Sequence, residues 1–182
     1  MKKLFLVLFI GLLLSTAAFA DHESLGIGAV FSGGGGLGGG GFYPGLSLKF
    51  PSLPIFWGVH AHIGGHFGFG ATGDFYFFDS NLISDNLVNE DGIYRLKLDW
   101  YLGVGALGEF QFGRNWAGFN LGVRIPVGLS WHVVQQFEIT LGTAPTLGLW
   151  AGDGGAKFFW RIPIEMAFRY WVNNQTEARN EY

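Results

Sequence analysis

The chain has 182 residues, a formal net charge of −3 and no cysteine, while glycine numbers 31 and aromatic residues make up 18%. Near-balanced charge leaves no nucleic-acid footprint, and the missing cysteine excludes both disulfides and the lipidated cysteine of a bacterial lipoprotein. Charged residues reach only 14%, against about 25% in soluble domains, yet no second apolar segment long enough for a membrane helix follows the N-terminus.

Met1–Ala20, MKKLFLVLFIGLLLSTAAFA, reads as a signal peptide: basic Lys2 and Lys3, apolar Leu4–Leu14, then the small-x-small Ala18-Phe19-Ala20. Cleavage is expected after Ala20, before Asp21, which leaves a one-domain mature chain over residues 21–172 and a polar tail over 173–182. Eight strands are expected along the mature chain: Leu25–Phe31, Phe42–Phe50, Ile55–Ile63, Phe67–Phe77, Tyr94–Phe112, Ala117–Trp131, Phe137–Leu149 and Phe158–Val172. The clearest is YRLKLDWYLGVGALGEFQF, where apolar residues hold the even positions from Tyr94 to Phe112. Arg95, Lys97, Asp99, Glu109 and Gln111 fall on the odd ones. Period-two alternation of that length exceeds the usual half-buried strand.

Between the first two strands stands SGGGGLGGGG, Ser32–Gly41. A phosphate loop would need a Lys and a Ser or Thr opening a helix after the glycines; FYPGLSLKF follows instead. The run is expected to be a flexible outer loop. Further outer loops are expected at Gly64–His66, Gly113–Trp116 and Ala151–Ala156. The opposite, periplasmic turns are expected at Pro51–Pro54, Phe78–Gly92 and His132–Gln136. The polar FDSNLISDNLVNEDG makes the second of these long, against the short-turn rule for such barrels.

Alternation alone does not say which face is inside. A soluble barrel with an apolar lumen would carry Lys, Glu, Ser and Thr outward on every strand. Here the polar phase is mostly glycine with isolated charges, and the apolar phase carries no charge in any strand. A bilayer imposes that exclusion, because a Lys or Arg on the lipid face costs about 2–4 kcal/mol at midplane. Aromatics also gather at strand ends, as with Phe119 and Trp131 or Phe158 and Tyr170, around aliphatic middles. The fold class is therefore all-β: an eight-stranded antiparallel transmembrane up-and-down β-barrel.

The mature chain resembles the small eight-stranded outer-membrane barrels, the group of OmpA, OmpX and OmpW. Within it, GVRIPVGLSW, LKFPSLPIFWG and TGDFYFF are most similar to an uncharacterised family of spirochaete outer-membrane barrels. The resemblance implies residence in the outer membrane as a multi-pass barrel, inserted with the barrel-assembly machinery and surrounded by outer-membrane lipid.

The lumen phase collects Lys49, Arg95, Lys97, Arg124, Arg161 and Arg169 beside Asp74, Asp99, Glu109, Glu138 and Glu165. Nearly equal signs suggest paired interior charges, and eight strands leave room for little beyond side chains. His60, His62 and His66 share the lumen phase with Asp74 near by; a His-x-His pair can chelate zinc if a third ligand converges, but the set is a weak candidate. Ser130, His132 and Glu138 share a phase as a hydrolase triad would, though near a periplasmic turn. No cofactor, metal or enzymatic activity is expected. The expected function is structural or surface-interacting, with a side-chain plug in the lumen. The alternatives are an OmpW-like narrow channel for small or hydrophobic solutes, and a secreted lipocalin-like soluble barrel. An extracellular or small-molecule ligand is left open, and no nucleic-acid partner is expected.

Overall fold

A computed structural model describes residues 24–37, 40–51, 53–89, 92–134 and 136–172. The leader with its Ala20 cleavage point and the tail over 173–182 lie outside the described residues. Ten strand segments follow in order: β1 Leu25–Leu37, β2 Gly41–Lys49, β3 Ile55–Ile63, β4 Phe67–Asn89, β5 Gly92–Gly113, β6 Trp116–Arg124, β7 Val127–Val134, β8 Phe137–Thr143, β9 Thr146–Gly152 and β10 Gly155–Val172.

They form eight spans. β6 and β7 lie end to end along β5, and β8 and β9 lie end to end along β10. Each interruption falls at a proline, Pro126 and Pro145, which has no N–H to donate to a ladder. The gaps are bridged: the Gly103 amide donates to the Pro126 carbonyl at 2.8 Å, and the Ile125 amide to the Pro145 carbonyl at 3.0 Å. β1 pairs antiparallel with β10 from Leu25↔Val172 to Leu37↔Trp160, so the sheet closes on itself. Closure removes the free edges an open sheet would leave.

The alternation sets which way each side chain points. Leu121, Val123 and Ile125 on the outward phase are 60%, 62% and 54% exposed, whereas Asn120 and Arg124 on the alternate phase are buried. The same inversion holds around the molecule: its buried set includes Lys49, Asp74, Asp99, Glu109, Glu138 and Arg169, and its exposed set is dominated by Leu, Ile, Val and Phe. A soluble monomer does not expose a continuous apolar belt of this kind. Aromatic clusters mark both ends of the belt, with Phe69, Phe110 and Phe112 at one (Phe69–Phe110 5.6 Å) and Phe78 stacked on Trp100 at the other (5.9 Å).

Two expectations change. Gly33–Gly36 are not loop but the end of β1, paired with Ile164, Pro163, Ile162 and Arg161 of β10, and Gly33 and Gly34 also with β2. The cause is close approach: a Cβ at Gly34 would stand 2.6 Å from the Ile162 carbonyl oxygen, and one at Gly36 2.7 Å from the Arg161 Cα. Glycine is what lets the strands meet there. The second change concerns Phe78–Gly92, which is no open loop. β4 continues to Asn89 and β5 starts at Gly92, paired through Asn89↔Gly92, with register shifts at Tyr76/Phe78 and Asn81/Ile83. The long polar connection is thus largely a two-stranded ribbon, paired as far as Asn89↔Gly92.

Candidate functional site

β10 is the spine of the lumen. Arg161, Glu165 and Arg169 stand four residues apart on its inward phase, about 13 Å from one to the next along the strand, and each anchors one tier of charge.

Nearest the short hairpin turns, Arg161 Nη1 donates to Glu109 Oε2 at 3.0 Å. Glu109 is fully buried; its other oxygen accepts from Gln111 Nε2 at 2.8 Å and faces His62 Nδ1 at 3.2 Å. The Arg161 guanidinium also lies 4.8 Å over the Tyr43 ring. In the middle tier, Arg124 Nη2 donates to Glu165 Oε2 at 2.5 Å, and Ser32 Oγ to the other oxygen at 3.3 Å. Arg124 Nε stands 3.0 Å from Asp74 Oδ1, at an angle too poor for a hydrogen bond, so that contact is Coulombic. In the third tier, Arg169 Nη1 donates to Glu138 Oε2 at 2.6 Å and Nη2 to Ser47 Oγ at 2.9 Å. Glu138 is completed by Trp171 Nε1 at 2.9 Å and Ser130 Oγ at 2.6 Å. Charge-assisted bonds of this kind are about twice as strong as neutral ones.

Rings fill the space between. Phe56 stacks on Tyr76 at 4.4 Å and Tyr76 on Tyr101 at 4.7 Å; Arg169 covers the Phe56 ring at 4.7 Å. Lys49 donates to the Phe50 carbonyl at 3.0 Å beside the same ring. Toward the chain termini, Lys97 pairs with Asp99 at 2.9 Å, and His132 Nδ1 lies 3.7 Å from the same carboxylate. Arg95 belongs to β5, paired with Asn86, but its side chain lies outside the described residues.

What remains open is unequal. A cavity of about 60 Å³ lies between the tiers, touching His60, Asp74, Arg124, Glu165 and Arg169, room for only a few waters. At the hairpin-turn end lies a bowl of about 660 Å³, bounded below by Arg161 and Tyr43.

The histidines do not gather as a metal set would. His62 stacks on Tyr43 at 4.5 Å and meets His66 edge-on at 4.1 Å, His60 lies edge-on to Tyr43 at 5.7 Å, and Asp74 is engaged by Arg124. Among the described residues no group of three His, Asp or Glu side chains could hold a metal ion. Burial, and then His62, lower the His66 pKa. Ser130, His132 and Glu138 do not assemble as a triad either. The Ser130 hydroxyl donates to Glu138, and His132 stands against Asp99.

Lumen aromatics are the part the alternation reading passed over. Tyr43, Trp116, Trp150, Phe159 and Trp171 lie on the inward phases, a signal legible in the sequence but masked by treating aromatics as girdle residues.

No protein-family model and no curated protein matches the chain. Two solved structures are similar to it. One is the N-terminal β-barrel domain of Pseudomonas aeruginosa OprF, at 12% identity and TM-score 0.44, over 80% of this chain and 97% of that one. The other is Neisserial surface protein A, NspA, at 11% identity and TM-score 0.45, over 82% of this chain and 96% of that one.

Proposed function

We propose that the protein is an integral outer-membrane β-barrel whose lumen is plugged by its own side chains and which acts at its hairpin-turn end, in a structural or surface-interaction role. On this reading the Met1–Ala20 leader exports it, the barrel-assembly machinery inserts it, and outer-membrane lipid surrounds the apolar belt. The observation that carries the proposal is the stack of three ion-pair tiers anchored by Arg161, Glu165 and Arg169, with only about 60 Å³ between them. Hydrated ions crossing the barrel would have to break buried charge-assisted contacts in succession, and a wide pore needs many more than eight strands.

Planar-bilayer conductance of the refolded protein tests this, with folding verified on the same sample by the mobility difference between unboiled and boiled protein in a gel. Silence from folded protein is the expected result. Reproducible unitary steps would overturn the plug in favour of a narrow channel.

A further inference from the structure

The bowl at the hairpin-turn end opens above the plug, with Arg161 and Tyr43 of the first tier as its floor, and its construction is that of a binding site. Its volume of about 660 Å³ lies within the ~300–1,000 Å³ of small-molecule sites. Flat rings make its wall: Tyr43, Trp116, Trp150 and Phe159. Glycine holds the indoles against the strands. A Cβ at Gly118 would stand 2.5 Å from Trp150 Nε1, one at Gly152 2.6 Å from Trp150 Cζ2, and one at Gly113 would strike Trp116. Trp116 and Trp150 meet edge-on at 6.1 Å, with His66 against Trp116 at 5.2 Å.

The charge in the lining has one sign. Among the described residues, Lys157 and Arg161 contribute to it and no carboxylate does. Glu109 sits beneath, taken by Arg161 and Gln111. Lys157 makes no ion pair among the described residues; its ammonium lies 5.6 Å over the Trp150 ring. Arg161 Nε and His66 Nε2 are buried without a protein hydrogen-bond partner among the described residues, and Gln111 and Asn120 also line the bowl.

We propose that this bowl binds a small organic anion with a flat apolar portion, of the aromatic carboxylate class. The flat portion lies along the indoles of Trp116 and Trp150, and the carboxylate meets Lys157 and the free side of Arg161. The inference rests on the plugged-lumen reading only in that the bowl has a floor.

The test is calorimetric titration of 2-naphthoate into the folded full mature chain in micelles of an uncharged detergent, with a micelle-only blank. Its neutral analogue 2-naphthylmethanol and inorganic phosphate are titrated in parallel. Saturable 2-naphthoate binding is expected, weakened about tenfold by Lys157→Gln, the scale of one lost charge-assisted contact. Trp150→Leu weakens both aromatic probes. Lys157 is exposed, so its variant keeps the test meaningful even if Trp150→Leu does not fold. Binding no stronger than the blank, equal binding of 2-naphthylmethanol, displacement by phosphate alone, or indifference to Lys157→Gln would each overturn the proposal. Conductance separates the two readings: silent protein without naphthoate binding removes the ligand, whereas unitary current with intact naphthoate binding removes the plug.

Discussion

Arg124 shows at the scale of one residue what the lumen depends on. Its guanidinium lies between Glu165 and Asp74, and its side chain is 5% exposed. Arg124→Ala leaves two carboxylates near each other in a closed interior, and breaking a buried pair by removing one partner costs about 3–5 kcal/mol. The lipid-facing control Leu121→Ala removes contacts to acyl chains rather than a buried partner. Thermal melting in detergent, followed by the gel shift, should therefore fall far more for Arg124→Ala than for Leu121→Ala. Equal shifts would mean that the tiers contribute little to stability.

Elements respond differently according to what they pair with. Among the described residues, the ladder of β5 before Lys97↔His132 runs only with β4, and that of β4 after Ile55↔Phe75 only with β5. Replacing Asp85–Leu96 by an Asn-Gly turn, which suits a two-residue hairpin, is expected to leave melting and the gel shift unchanged. Loss of folding would show that the ribbon helps the barrel assemble. β1 offers the contrast. A Cβ at Gly28 would collide with the Phe168 carbonyl of β10, at the seam that closes the sheet. Gly28→Leu is expected to abolish the heat-sensitive species altogether, and a normal gel shift would refute the close approach.

The whole molecule is turned inside out relative to a soluble barrel, with charge in the lumen and aliphatic side chains outside. It should fold only where something apolar covers the belt. Diluted from denaturant into detergent micelles, the mature chain is expected to give a heat-sensitive compact monomer; diluted into plain buffer, it should aggregate. Compact monomers in buffer would refute the membrane reading and return the soluble ligand-binding barrel.

The sequence by itself determined the fold class, the number of spans and which phase of each strand carries charge, because in a strand the side-chain period of two is strict and a charge on a lipid-facing position is heavily penalised. Lys49, Asp74, Asp99, Glu109, Glu138, Arg124, Arg161, Glu165 and Arg169 could be placed inside from that rule alone. Partner choice could not. Arg161 meets Glu109 from a strand 52 residues away, and Arg169 meets Glu138 and Ser47 across separations of 31 and 122. Those pairings follow from the stagger of a closed barrel. Tertiary structure alone also decided that Gly33–Gly36 are strand, since the close approach of β10 that requires glycine comes from closure. The bowl was settled there too: its inward rings, the glycines against them and Lys157 come from five different spans, β2, β5, β6, β9 and β10, which only closure brings together.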